Sequence, residues 1–132
     1  YMLLPKLLGL AERAWSADPA WAAEAEPMAG AAYWKDWSQF VNRVGKRELP
    51  KLDHLAGGFA YRIPTPGLIA ENGVVKANIQ LPGFELRYTV NGKEPDAQSK
   101  LYTAPITEKG LIRMKAFNRV GRGGKMAELN NQ

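Results

Sequence analysis

The chain contains no cysteine, which excludes disulfides, zinc–thiolate centres and a thiol nucleophile. It has a single histidine, so an imidazole pair for a metal is also excluded. No apolar run approaches the length needed to cross a bilayer, and no targeting peptide is visible. The last 77 residues contain no tryptophan: Trp15, Trp21, Trp34 and Trp37 all lie in the first part. Acidic residues are also scarce there. Residues 1–55 carry seven Lys/Arg and seven Asp/Glu, whereas residues 56–132 carry eleven and six, so the whole net charge of +5 belongs to the second part. Two differently composed segments follow one another in 132 residues, a length that suits one ordinary domain or two small ones.

The first segment has helical periodicity. Leu4, Leu7, Leu8, Ala11 and Trp15 form one apolar face, with Pro5 suited to a first turn. Asp18-Pro19 caps a short helix over Ala20 to Glu26, after which Pro27 and Gly30 punctuate. Tyr33, Trp37, Phe40, Val41 and Val44 form a second apolar face, with Lys35, Asp36, Gln39 and Arg43 on the wet side. Leu49, Leu52 and Leu55 continue as a last short helix that Ala56-Gly57-Gly58 ends. A helix with a burial-type face at the opening of the chain is expected to have been parted from its partner. In this chain its stripe should pack on the Tyr33–Val44 helix or on the same stripe of a second copy.

The second segment changes period. Phe59–Ile63 is a strand candidate stopped by Pro64-Thr65-Pro66-Gly67, and Asn72-Gly73 is a hairpin signal ahead of a strand over Val74 to Leu81. Pro82-Gly83 turns the chain. Leu86, Tyr88 and Val90 alternate with Glu85, Arg87 and Thr89 as a half-buried strand does. Asn91-Gly92 marks a turn. A strand over Gly110 to Asn118 places Ile112, Met114 and Ala116 on one face, and Gly121, Gly123 and Gly124 lead into a last strand over Lys125 to Leu129. Short strands with regular turns predict a small β-sandwich, and an α+β chain overall.

Both segments carry a family resemblance. Tyr1–Trp15, above all Ala11-Glu12-Arg13-Ala14-Trp15, resembles the last helix of the catalytic barrel of family 20 glycoside hydrolases, the β-N-acetylhexosaminidases and chitobiases. Tyr61–Gly67, Ala77–Gly83 and Arg87–Pro95, with Ser99, Tyr102 and Pro105-Ile106, are similar to the C-terminal domain of the bacterial chitobiase-type enzymes. Asn91 stands where Asp is more usual, and both tolerate positive φ. The resemblance implies residues 1–57 as terminal helices of a TIM barrel and residues 58–132 as an immunoglobulin-like sandwich. It further implies a parent enzyme that removes terminal N-acetylhexosamine with the substrate's acetamide as nucleophile, an Asp orienting that group and the adjacent Glu acting as acid. No Asp-Glu dipeptide occurs in the chain, so no catalytic, cofactor or metal residue is carried over. The expected partner is the catalytic barrel of a parent acting in the periplasm or at the cell surface, with a homodimer through the first helix as an alternative.

Other residues invite chemistry. Glu12 and Arg13 are expected to bond to the barrel or face solvent. Asp53-His54 lacks companions for a triad or metal site. Trp34 and Trp37 have sugar-stacking faces, but the spacing of Trp37 predicts core; Tyr88 is expected inside, and Tyr102 is a candidate platform. Lys109, Arg113, Lys115, Arg119, Arg122 and Lys125 form a basic cluster that suits a polyanion, yet no nucleic-acid motif accompanies it, and a solvated sheet edge is the reading preferred. The rival functions are a carbohydrate-binding module, marked by exposed coplanar aromatics on the sandwich, and a basic adhesion domain.

Overall fold

The computed structural model describes residues 3–26 and 30–132; Tyr1, Met2 and the punctuating Pro27 lie outside them. Two compact units are present, residues 1–62 and 63–132.

The first unit is helical. α1 spans Lys6–Trp15, a 3-10 turn follows at Ala20–Ala23, and α2 spans Ala31–Arg43. The turn is shorter than the helix expected to reach Glu26. α2 runs on through a widened π turn at Val44–Glu48 into α3, Leu49–Leu52. Val41, Val44 and Leu49 are buried along this continuous piece, as is Tyr61 beyond it, whose hydroxyl donates to Asp53 at 3.1 Å. The charged residues expected on the wet side of α2 are all exposed. The helical stretch ends where Ala56, Gly57 and Gly58 take positive φ in succession, 49°, 85° and 99°. Gly58 is doubly constrained, because a Cβ there would also sit 3.0 Å from the Asp53 carbonyl oxygen. The fold-back is fixed by the Phe59 N–H donating to Leu52 O at 2.7 Å.

The expected strand over Phe59–Ile63 does not form. The segment is extended but pairs with no neighbour strand, and its Arg62 N–H donates to Leu4 O at 3.0 Å. Pro64 and Pro66 lack the N–H groups a ladder would use.

The second unit is built from antiparallel strands: β1 Gly67–Glu71, β2 Val74–Asn78, β3 Glu85–Thr89, β4 Lys100–Leu101, β5 Gly110–Phe117 and β6 Ala127–Asn131. β1 and β2 form one sheet; the other has the order β4-β3-β5-β6. Asn72 and Gly73 both have positive φ (51° and 74°), the two-residue hairpin their sequence signals. That signal implied a strand on its N-terminal side as well, which proved to be β1. β2 ends at Asn78, earlier than the expected Leu81, and β6 begins two residues later than expected. Gly123 and Gly124 first run beside β5, the Gly124 N–H donating to Ala116 O at 2.9 Å. A Cβ on Gly124 would lie 2.9 Å from Ile63 Cγ2, so only glycine lets the chain approach so closely.

The core of this unit is set by period two. Leu86 and Tyr88 of β3 point inward opposite Ala116 and Met114 of β5. Ile112, Met114 and Ala116 are completely buried. From the small sheet, Val75 meets Ile106 through a pair of backbone hydrogen bonds of 2.8 and 2.9 Å. Asn131 on β6 is buried and donates to the carbonyls of Gly73 and Glu108, both at 3.0 Å, tying the last strand to the β1–β2 turn. These two sheets have the arrangement expected of an immunoglobulin-like sandwich within an α+β chain.

α1 departs most from its sequence pattern. It has no buried residue. Leu4 and Leu8 are half-buried, but Leu7, Ala11 and Trp15 are exposed, Trp15 at 89%. The stripe therefore does not pack on α2 as expected. The face that meets α2 is the one carrying Gly9 and Glu12: a Cβ on Gly9 would lie 3.8 Å from the Phe40 ring, and Glu12 pairs with Arg43 at 3.6 Å.

The burial contrast has a measurable consequence. Met114→Ala should cost about 2–5 kcal/mol, because it leaves a cavity in a packed core, whereas Leu7→Ala in this chain should change stability by less than about 0.5 kcal/mol. Urea unfolding of both variants checks the difference.

Candidate functional site

A cleft of about 440 Å³ lies in the helical unit. Its walls follow from helical periodicity. Gly9, Glu12 and Arg13 of α1 and its C-cap Ser16 stand at i, i+3, i+4 and i+7, and Tyr33, Asp36, Trp37 and Phe40 stand at the same spacing on α2. The 3-10 turn adds Trp21, which closes one end. Its ring meets Tyr33 edge-on, with centroids 5.0 Å apart, and its indole N–H donates to an Asp36 carboxylate oxygen at 2.8 Å. Tyr33 in turn meets Trp34 edge-on at 5.2 Å. The polar lining is balanced in charge: Glu12 and Asp36 against Arg13 and Arg43.

Trp37 lies on this wall and is 40% exposed, so the expectation that it is core is overturned. Its ring centroid lies 6.0 Å from that of Phe40. Trp34 is 56% exposed and stands outside the cleft lining. Glu12 and Arg13 both line the cleft, whereas the sequence reading favoured bonds to the barrel or solvent over a place in a site. The signal was present in the shared i, i+3, i+4, i+7 spacing of two polar–aromatic faces, but apolar residues were used to define each face.

The remaining candidates are dispersed. His54 is exposed in the turn after α3, as expected. Tyr88 is buried at 5% exposure. Tyr102 is half-buried, and its hydroxyl oxygen accepts the Ala77 N–H at 3.0 Å, so it braces β2 rather than forming a platform. Phe84 is half-buried and Phe117 buried; no aromatic residue of the sandwich unit is exposed. Two members of the basic cluster are engaged in ion pairs, and Lys109, Arg119 and Lys125 are exposed. Arg113 pairs with Glu128 at 3.1 Å and donates to Gly92 O at 2.5 Å, and Lys115 pairs with Glu94 at 2.8 Å. Among the described residues no group of three His, Asp or Glu side chains could hold a metal, and no helix is long and apolar enough to cross a membrane.

Surface ion pairs set the electrostatics of the sandwich, one between β1 and β2 and two from strand lysines to loop glutamates. Hydrogen bonds from Lys76, Lys115 and Lys100 hold Glu71, Glu94 and Glu108 below the ordinary glutamate value, and the Ser99 hydroxyl does the same for Asp96. Lys76 and Lys100 are raised by the same contacts. All these groups are at the surface, so each is a small contribution.

Residues 48–126 match the family described as the chitobiase/beta-hexosaminidase C-terminal domain. The chain is similar to a beta-hexosaminidase of Vibrio vulnificus, with 28% identity over 149 aligned positions that cover 98% of this chain and 17% of that protein. It is also similar to an N,N'-diacetylchitobiase of Vibrio harveyi, with 32% identity over 102 positions, 70% of this chain and 11% of that protein. The chain thus spans less than a fifth of these relatives.

The ion pairs give a signed pH dependence. A carboxylate whose pKa is depressed by folding adds stability above its unfolded value, and that stability is lost as pH falls through the folded value. The sandwich should therefore lose stability on acidification below the ordinary glutamate value of 4.5. The raised lysines act oppositely, losing their contribution above 10.5. Thermal unfolding across both limits, with Glu108→Gln showing a shallower acid slope, is the check.

Proposed function

Because the chain belongs to the chitobiase/beta-hexosaminidase C-terminal domain family, we infer that it is the non-catalytic C-terminal part of a β-N-acetylhexosaminidase. The whole protein hydrolyses terminal N-acetylhexosamine from glycosides by substrate-assisted, retaining catalysis. Residues 1–57 supply terminal helices of the catalytic barrel, and residues 58–132 supply the sandwich. No residue of this chain takes part in bond cleavage. Its role is to complete the outer layer of the barrel and to hold a sandwich next to it.

The observation that carries this reading is the uncovered apolar surface of α1. Leu7, Leu10 and Trp15 are exposed at 42%, 66% and 89% on a ten-residue helix that buries no residue. Burying a large apolar side chain contributes about 1.5–3 kcal/mol, so these three favour a partner surface. A catalytic barrel is the partner that fits relatives of which this chain spans 11–17%. A second copy of the chain is the competing occupant.

Two measurements separate the outcomes. The 132-residue chain should give no turnover of a chromogenic N-acetylglucosaminide, while the longer protein that carries it should; turnover by the chain alone at a comparable rate would refute the non-catalytic assignment. Leu7→Lys with Trp15→Lys should destabilise the longer protein by about 1.5–3 kcal/mol per residue and leave the isolated chain unchanged. Conversion of the isolated chain from dimer to monomer by the same substitutions would instead assign this surface to self-association.

A further inference from the structure

We propose that Asn72-Gly73, at the tip of the β1–β2 hairpin, is a site of spontaneous deamidation, and that the fold withholds the same modification from Asn91-Gly92. The sequence does not separate the two. Each is an asparagine followed by glycine, whose missing Cβ leaves its nitrogen open to approach. In the reaction the Gly73 nitrogen gives its proton to hydroxide and attacks Asn72 Cγ. The new N–C bond closes a cyclic imide, the Cγ–Nδ2 bond breaks, and ammonia leaves with a proton from water. Water then opens the imide at either carbonyl, giving aspartate or isoaspartate. Nothing is oxidised or reduced. The attack is intramolecular, so geometry and the mobility of one peptide set its rate.

The hairpin tip has access to the attack geometry. Asn72 and Gly73, with φ of 51° and 74°, form a type I′ turn. Ring closure requires the Gly73 nitrogen to eclipse Asn72 Cβ, at an Asn72 ψ of about −120°, which is the value at the first central position of a type II′ turn. One flip of the Asn72–Gly73 peptide converts the first turn into the second. That flip breaks no hydrogen bond, because among the described residues neither the Asn72 side chain and carbonyl nor the Gly73 N–H has a partner. The bond that Gly73 does make, from Asn131 Nδ2 to its carbonyl at 3.0 Å, lies on the other side of its Cα. Both residues are exposed, so hydroxide and water reach them.

Asn91-Gly92 is held at both reacting groups. The Gly92 N–H donates to Leu111 O at 3.2 Å, so the nucleophile must leave an acceptor before it loses its proton. Asn91 Oδ1 accepts the Lys93 N–H at 3.1 Å, which fixes the side-chain amide. The peptides that follow are clamped as well: the Gly92 carbonyl accepts from Arg113, and the Lys93 carbonyl from the Thr89 hydroxyl. Turning Asn91 to the closure angle breaks the first of these bonds and strains the others. All of these contacts lie within the sandwich unit, so the contrast does not depend on what covers the helices, nor on the hexosaminidase reading.

The test is peptide mapping by mass spectrometry of the 132-residue chain aged in alkaline buffer, once native and once in urea. In urea, where the fold no longer acts, the two asparagines should convert at rates within about threefold of each other. In the native chain Asn72 should convert at least about tenfold faster than Asn91, and its products should include isoaspartate, identified by fragmentation. Asn72→Gly, which keeps the positive-φ turn, should abolish the mass gain in that peptide and leave the Asn91 rate unchanged. Thr89→Val, which removes one clamp, should speed Asn91 by about threefold and leave Asn72 as it was. Equal native rates at the two sites, or a faster Asn91, would overturn the proposal. So would an Asn72 that converts in urea yet stays intact in the native chain, or a mass gain that survives Asn72→Gly.

Discussion

The fold depends on the inward face of β5. This strand is hydrogen-bonded along both edges, to β3 and to β6, so its alternation propagates to its neighbours. Ile112, Met114 and Ala116 face inward and are fully buried, which fixes the register of Leu86 and Tyr88 on one side and Leu129 on the other. A slip of one residue would turn the whole row to water and bring Arg113 and Lys115 inside. Those two side chains instead stand outward, where Glu128 and Glu94 meet them. Part of the positive charge of the second half is thus held on the sheet's outer face by acidic partners.

The helical unit rests on a different balance. Its buried residues, Val41, Val44, Leu49 and Tyr61, all follow the middle of α2, and none belongs to α1. α1 meets α2 through a glycine and an ion pair, contacts that position a helix but bury little. The consequence is a helix with two unlike faces. One is apolar and uncovered. The other, charged and aromatic, forms a cleft against α2. Tertiary partners rather than propensity hold most short helices in place, and α1, with no buried residue, has few such contacts within the helical unit.

Strands with clean alternation were legible in the sequence, as β3 and β5 show, because each has one face fully buried and period two is then unambiguous. The hairpin at Asn72-Gly73 was legible from its turn chemistry. β4 was not: two residues, Lys100 and Leu101, both exposed, carry no periodic signal. Phe59–Ile63 misled because β-branched and aromatic residues mark an extended, buried segment equally well whether or not it has a hydrogen-bonded neighbour. The apolar face of α1 was legible as a pattern, but its destination was not. Sequence periodicity reports which residues would gain from burial, and says nothing of whether the burying surface is supplied by the same chain. The cleft was missed for a related reason: Glu12, Arg13 and Asp36 were read as wet-side residues, which they are, without asking what two wet sides enclose when they face each other.

The central claim is that this chain holds a sandwich with a closed core of its own and a helix whose apolar face is left uncovered. Amide hydrogen exchange on the 132-residue chain tests it most directly. The N–H groups of Ile112 to Phe117 should exchange only with global unfolding of the sandwich, and those of Leu10 to Trp15 by cheap local opening, several orders of magnitude faster and independently of protein concentration. Protection of Leu10 to Trp15 equal to that of β5 would contradict the account, since it would mean that the α1 face is already covered.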